Sequence, residues 1–239
     1  VQTYPAVLDW ETEEVLWPEY WPYEELMLTY GRIGGRIPFE TMYQQNPRPE
    51  GGGLVKLEWI QRCRDDRPGY EGLKGKRGMK NITRVLSIDP SPTKFHGMVL
   101  GDLEYNRHKF KFNVMAAWRV QASDDPVLTN EIVRVIAVFK PDYLVIEESG
   151  FGRWLDADPM FIEIGKYLTI LKHTTSGASK GHIEFGIRSL AGDFEFQNIS
   201  LPCGDPDGRK MTDDLTQEAL NYPEGLTDIL MALWFVKFN

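Results

Sequence analysis

Cysteine is scarce in this chain of 239 residues, in which Cys63 and Cys203 are the only two and form no Cys-x-x-Cys pair. This usage indicates neither a cysteine zinc site nor a disulfide framework, and it fits a reducing compartment. Histidine is also scarce, and no two histidines are usefully spaced for zinc or for a catalytic base. The four histidines are His96, His108, His173 and His182.

Long apolar runs and an excess of positive charge are absent too. No apolar run approaches the roughly 18 residues that a membrane span needs, and no signal peptide is visible. The formal net charge is -8, which argues weakly against a general nucleic-acid binder, although net charge is a poor test where the binding site is itself acidic. The chain begins with Val1, so we expect a fragment or a processed product.

A phosphate-binding loop of the Gly-x-x-x-x-Gly-Lys-Ser/Thr type is missing as well. Gly75 and Lys76 come nearest to it, but an arginine follows them and the first glycine of the motif is not at the required spacing. We therefore expect no ATP hydrolysis from this chain.

Apolar residues make up 42% of the chain, which is enough for a sizeable core. Residues 1–53 are rich in Trp, Tyr, Pro and Glu, predict short helices at 24–30 and from Pro38, and end in a Pro- and Gly-rich stretch typical of a linker. Residues 54–84 carry nine Lys or Arg against four acidic residues, and their glycines predict mostly loop. The length allows one large domain, alone or with a shorter appendage.

The rest of the chain predicts a regular order of elements. Predicted strands lie at 85–89, 96–103, 109–118 and 143–147, the third because apolar and polar residues alternate along it. Predicted helices lie at 126–139, from Asp158 as the cap through Leu171, at 183–190 and at 226–238. Three strands, a helix, a strand and three helices indicate a mixed sheet with helices on its faces.

Three carboxylates stand where an apolar run ends or a helix begins. Asp89 closes the first predicted strand, Glu147 closes the fourth, and Asp228 opens the last helix. A charge beside a buried element is costly unless it is paired or binds a metal. Acids that come from distant parts of the chain without basic partners suggest divalent cations, and hence metal-dependent phosphodiester chemistry.

Each of these carboxylates also has an ordinary interpretation. Asp89 could simply begin a turn, Glu147 could be solvated beside Glu148, and Asp228 could be a helix cap, a task that Thr227 could also perform. The order of the elements favours the joint interpretation, because it brings the first and fourth strands side by side and lays a late helix across their ends.

Three acidic stretches and one segment before them resemble a known family. They are residues 85–90 (Val-Leu-Ser-Ile-Asp-Pro), 145–152 and 223–234, with Phe-Glu-Thr-Met-Tyr-Gln-Gln-Asn-Pro at 39–47 ahead of them. In this order they are similar to the nuclease half of the large terminase subunit of tailed bacteriophages, the DNA-packaging motor. The Ser-Pro pair after Pro90 departs from the glycines that relatives often have there.

The resemblance covers nearly the whole chain and implies its organisation. The fold class would be α/β, with a ribonuclease H-like mixed central sheet flanked by helices. Residues 1–53 would be the linker or remnant that joins the absent ATPase domain, and residues 54–239 would form the nuclease domain.

The resemblance also implies a function, a metal-dependent endonuclease that cuts concatemeric double-stranded viral DNA during genome packaging. Asp89, Glu147 and Asp228 would be catalytic and would hold two Mg²⁺ or Mn²⁺ ions roughly 4 Å apart. One ion would activate the attacking water, and the other would stabilise the leaving 3′ oxygen. The implied partners are double-stranded DNA, the ATPase half of the same polypeptide, the portal protein and the small terminase subunit. These would be met in the host cytoplasm, away from membranes.

Basic residues are the candidates for gripping the DNA backbone, through contacts that would not read sequence. The candidates are the stretch 56–84 together with Lys109, Lys111, Arg119, Lys180 and Arg188. Lys180 could equally be a solvated loop lysine.

Two rival functions stay open, a Holliday-junction resolvase or transposase on the same fold, and a docking module of the packaging motor that has lost cleavage. A further choice concerns two adjacent acids. Successive strand residues point to opposite faces, so Glu147 and Glu148 cannot both face the same ions within a strand. We assign the metal ligand to Glu147, because it ends the apolar run where the backbone is best held.

Overall fold

The computed structural model describes most of the chain. The described residues are 4–33, 36–45, 55–69, 82–91, 94–106, 109–121, 125–148, 158–174, 186–223 and 225–237. No helix in these ranges is both long and apolar enough to cross a membrane.

A mixed seven-stranded sheet forms the centre of the molecule, in the order β3-β9-β6-β5-β4-β7-β8. Its strands are β3 (Arg64–Asp65), β4 (Ile82–Asp89), β5 (Phe95–Asn106), β6 (Lys109–Gln121), β7 (Tyr143–Glu147), β8 (Thr169–His173) and β9 (Ile199–Pro202). Strands β4, β5 and β6 form an antiparallel meander, whereas β7 and β8 continue parallel to β4. The four predicted strands are therefore confirmed, and the first and fourth of them are neighbours.

Helices cover both faces of this sheet. They are α3 (Leu57–Cys63), α4 (Asp125–Phe139), α5 (Pro159–Ile164), α6 (Leu190–Glu195), α7 (Pro206–Asn221) and α8 (Asp228–Val236). The first face packs Val85 and Val145 against the almost wholly buried α8, and the second packs Leu86 and Ile146 against α4. This alternation along each strand fixes which strand-end side chains face α8.

Three parts of the secondary-structure prediction need correction. The helix that begins at the Asp158 cap ends at Ile164 rather than at Leu171, and residues 169–173 form the strand β8 instead. The helix predicted at 183–190 is a single 3-10 turn, Ile187–Ser189, that leads into α6, and residues 183–185 lie outside the described ranges. Strand β9 and the long helix α7 were not predicted at all.

Residues 4–33 and 36–45 pack around a hydrophobic cluster of their own, which includes Val7, Leu26 and Phe39. The segment contains the hairpin β1 (Val7–Asp9) and β2 (Glu14–Val15), followed by α1 (Tyr23–Arg32) and α2 (Arg36–Met42). It is joined to the sheet domain through Tyr30, whose hydroxyl donates to the Glu195 carboxylate at 2.8 Å and whose ring meets Phe196. The two predicted helices of this segment are confirmed.

Candidate active site

Asp89 and Glu147 end two neighbouring parallel strands at the same edge of the sheet. The register pairs Ile88 with Ile146, so the next residues along the two strands are Asp89 and Glu147. Asp89 lies four residues after Val85, and Glu147 lies two residues after Val145. Because side chains alternate along a strand, both acids lie on the sheet face that α8 covers. Two acids from positions 58 residues apart in the chain thus meet at one point because of strand register alone.

Asp228 reaches the same corner because α8 begins there. Asp89 pairs across β4 and β5 with Gly97, and a Cβ added to Gly97 would lie 1.9 Å from the Asp228 carbonyl oxygen. Only a residue without a side chain lets the start of α8 rest directly on β5. The glycine therefore lets the backbone of Asp228 rest against β5, beside the end of β4 that carries Asp89.

The Asp228 carboxylate is half-buried, and one of its oxygens is buried without a hydrogen bond. Its side chain is 15% exposed, and its Oδ2 atom accepts no hydrogen bond from any described residue. Among the described residues, the nearest cation is the Arg119 guanidinium, whose Nε lies 4.0 Å from this oxygen. Burial raises the pKa of Asp228, and the charges of Arg119 and Lys94 offset this only in part. A cation with room for another oxygen ligand suits such a group.

Glu218 of α7 is the buried partner that the sequence analysis missed. One of its oxygens accepts hydrogen bonds from Nε and Nη2 of Arg119, at 2.9 and 2.5 Å. The other accepts from the backbone N–H of Leu230 in the first turn of α8, at 2.7 Å. Thr227 stands at the N-cap position but makes no side-chain capping bond, so Glu218 caps α8 from another helix. Burial raises the pKa of Glu218, although these hydrogen bonds favour its charged form.

Two histidines lie at the same corner. His96 is buried, and its Nδ1 accepts a hydrogen bond from the Ser91 backbone N–H at 3.0 Å, which ties down the turn after Asp89. Burial lowers the pKa of His96, so its neutral form is favoured. His173 pairs with Glu147 in the strand register and packs its ring against Trp234 of α8 at 5.4 Å.

Of the predicted DNA-gripping residues, Arg119 lies at this corner, whereas Lys111 lies away from it. Lys111 is exposed and pairs with Glu104, seven residues along β5 from Gly97, which puts it roughly 23 Å away along the sheet. Arg188 is exposed on the 3-10 turn near Tyr222. Lys180 lies outside the described residues, as does the side chain of Lys109, although its backbone belongs to β6.

Four arginines that the structure describes in or near β3, β4 and β6 form ion pairs. Their partners are Asp213 for Arg64, Asp65 for Arg67, Asp102 for Arg84 and Glu218 for Arg119. Arg119 in particular is committed to a structural contact, so it does not have the exposed position that a backbone-gripping residue needs. Residues 70–81 of the basic stretch lie outside the described ranges.

No group of three His, Cys, Asp or Glu side chains in the described ranges is close enough together to hold a metal ion. The three acids share a corner, but like charges repel and Asp228 lies beside Arg119. The donor chemistry nevertheless fits a hard divalent cation, because all three donors are carboxylates and one buried oxygen of Asp228 accepts no hydrogen bond. The three-acid metal site stays a prediction.

The chain matches known proteins in fold and not in sequence. No family model and no curated protein matches the chain by sequence. Among solved structures, the large terminase nuclease from thermophilic phage G20c with bound magnesium aligns with a TM-score of 0.53 and 13% identity. This alignment covers 78% of this chain and 97% of that one. The chain has the fold of a large-terminase nuclease domain.

Two further structures agree with that terminase nuclease fold. The nuclease domain of the large terminase subunit gp2 of bacterial virus Sf6 aligns with a TM-score of 0.50 and 13% identity, over 76% of this chain and 96% of the other. A large terminase from a second thermophilic bacteriophage aligns with a TM-score of 0.52 and 12% identity, over 87% of this chain and 50% of the other. The predicted fold class, a ribonuclease H-like mixed sheet flanked by helices, is confirmed.

Proposed function

We propose that this chain is a divalent-metal-dependent DNA endonuclease that cuts concatemeric double-stranded viral DNA during genome packaging. The observation that carries the proposal is the meeting of Asp89 and Glu147 at adjacent strand ends, under the helix that Asp228 begins. The terminase nuclease fold supports it, and the G20c nuclease of that fold has been solved with bound magnesium.

The roles of the residues follow from where they are held. Asp89, Glu147 and Asp228 would bind Mg²⁺ or Mn²⁺, as two ions in the full mechanism. Such ions, when bound, activate water and stabilise charge on the leaving oxygen. Gly97, His96 and the cap on α8 keep the carboxylates in place, so that little reorganisation is needed when substrate arrives.

The same proposal assigns partners and organisation. Residues 1–53 would connect an ATPase domain of the same polypeptide to the nuclease domain at 54–239. Double-stranded DNA would be the substrate, and the portal protein and small terminase subunit would be the assembly partners in the host cytoplasm.

Plasmid digestion tests the proposal directly. We expect the wild-type chain to cut supercoiled plasmid with millimolar Mn²⁺ or Mg²⁺ and not with EDTA, and Asp89→Ala to be inactive. Glu163→Ala is the matched control, because Glu163 is an exposed acid on α5 paired with Lys166; it should cut like the wild type. Absence of cutting at high protein concentration would overturn the proposal in favour of a docking module. Selective cutting of four-way junctions by a dimer would favour a resolvase.

A further inference from the structure

Arg119 occupies an unusual position beside the candidate metal ligand Asp228. Its Nε is 4.0 Å from Asp228 Oδ2, which is beyond the 2.7–2.9 Å typical of a guanidinium–carboxylate hydrogen bond. Nε and Nη2 of Arg119 both donate to Glu218 instead. The guanidinium is therefore close enough to interact electrostatically with Asp228, but it donates no hydrogen bond to Asp228 Oδ2.

Glu218 is itself fixed on its other side. Its second oxygen accepts the Leu230 N–H at 2.7 Å, and its side chain is only 1% exposed. Because Leu230 and Asp228 lie in the same first turn of α8, Glu218 sets the position of the helix start and of Arg119 together. The 4.0 Å separation between Arg119 and Asp228 is thus built into the packing of α7 against α8.

We propose that Glu218 holds Arg119 away from Asp228 and so keeps the Asp228 carboxylate available to a divalent cation. This inference rests on the proposed nuclease function, and it assigns Glu218 and Arg119 the role of positioning residues. Among the described residues, Glu218 and Asp228 are the acids within 4.0 Å of the Arg119 guanidinium. Without the Glu218 charge, a carboxylate with a buried and unfilled acceptor would attract the guanidinium, and the ion pair would block the metal.

Thermal unfolding against Mn²⁺ concentration measures this effect without relying on catalysis, because a ligand that binds only the folded state raises the melting temperature. Glu218→Gln keeps the volume and an acceptor for Leu230. We expect it to need at least about tenfold more Mn²⁺ for half of the full stabilisation, the size typical of outer-shell changes around a metal. Arg119→Met added to Glu218→Gln removes the competing cation, and it should return the Mn²⁺ requirement to within about threefold of wild type.

A matched control lies at the other end of the sheet, where Arg84 and Asp102 form a comparable buried pair. Asp102→Asn should lower the melting temperature without moving the Mn²⁺ requirement. If Glu218→Gln itself does not fold, Arg119→Met alone decides: it should leave Mn²⁺ binding equal to or tighter than wild type.

Several results would overturn the inference. An unchanged Mn²⁺ requirement in Glu218→Gln would do so while the wild type still cuts DNA, and the proposed function would survive. Failure of the double variant to recover would show that Glu218 only stabilises the fold, and weaker Mn²⁺ binding by Arg119→Met would show that Arg119 supports the site. A wild type that neither binds Mn²⁺ nor cuts DNA would overturn the proposed function, and this inference with it.

Discussion

The two ends of strand β4 differ in how fully their charged groups are hydrogen-bonded. At its start, Arg84 is 6% exposed and forms a two-pronged pair with Asp102, at 2.7 and 3.0 Å, while its remaining terminal nitrogen donates to the Phe139 carbonyl at 3.0 Å. At its end, Asp89 lies beside Glu147 and below Asp228, whose buried oxygen accepts no hydrogen bond from the described residues.

The difference separates a structural charge from a functional one. Buried polar groups in folded proteins are nearly always hydrogen-bonded, so an exception calls for an explanation. At the Arg84 end, the guanidinium is held by the Asp102 carboxylate and by the Phe139 carbonyl. At the Asp228 end, Asp89 and Glu147 end neighbouring strands and Arg119 Nε lies 4.0 Å from Asp228 Oδ2, an arrangement that suits binding of a divalent ion.

The strongest test of the candidate metal site compares substitutions of two adjacent acids, Glu147 and Glu148. Glu147→Gln should reduce DNA cleavage on the order of 1,000-fold or more, because a metal supplies several kcal/mol of transition-state stabilisation. Glu148→Gln is the matched control. Glu148 has the opposite strand parity, and its carboxylate accepts a hydrogen bond from the Thr174 hydroxyl at 3.2 Å. Cleavage rates with Mn²⁺, beside unchanged melting temperatures, would check this. The reverse pattern would move the ligand to Glu148.

Removing the buried ion pair at the start of β4 should lower stability and leave the Mn²⁺ requirement for cleavage unchanged. Arg84→Met leaves Asp102 buried without its partner, so we expect a loss of about 3–5 kcal/mol in the free energy of unfolding. Urea denaturation measures that loss. At temperatures where the variant is folded, its Mn²⁺ requirement for cleavage should match that of the wild type. A loss below about 1 kcal/mol would mean that the pair contributes no more than an exposed one.

Gly97 is a packing residue beside the candidate metal site, so its substitution should affect both stability and cleavage. Gly97→Ala places a Cβ against the backbone of Asp228 and Ile229. We expect about 3 kcal/mol of destabilisation, at the upper end of the usual cost of overpacking, together with loss of cleavage. Gly165→Ala is the control, since its added Cβ would find its nearest neighbour at 3.4 Å. Equal melting temperatures for the two variants would contradict the close approach of α8 to β5.

The smallest expected effect is on the pH dependence of stability. Because the pKa of Asp228 is raised in the folded state, the folded chain binds more protons than the unfolded chain between the ordinary aspartate pKa and the raised one. Asp228 therefore contributes a loss of stability as pH rises through this window. Asp228→Asn should raise the metal-free melting temperature at pH 7 and lose this advantage near pH 3, while it removes most of the stabilisation by Mn²⁺. A metal-free variant less stable than wild type at pH 7 would contradict this assignment.

The sequence was sufficient for the centre of the fold. Strands β4 to β7 could be predicted because each is an apolar run bounded by turn residues, and the acids at the ends of β4 and β7 were visible for the same reason. Strand β8 was missed because Leu168 and Leu171 continue the helical spacing from Phe161. Gly165, which ends α5, was the available signal for a break.

The long helix α7 was missed for a different reason. Its buried side includes Thr212, Thr216 and Glu218, so the apolar periodicity that reveals most helices is weak. Its start did carry a signal, because Asp205 caps it by accepting the Gly208 N–H at 2.7 Å, and Pro206 occupies the first turn. The pairing of Glu218 with Arg119 could not be predicted, since the two are 99 positions apart and meet only in the folded chain.

The contact between Gly97 and the start of α8 also affects how a mutational scan of this chain would be interpreted. Position 97 carries no chemical group, yet a library selected for cleavage should return glycine there as strictly as it returns aspartate at 89. A library selected only for folding should return the same glycine while releasing Asp89. Comparing the two selections would therefore distinguish the residues that perform the chemistry from the one whose missing side chain makes room for it.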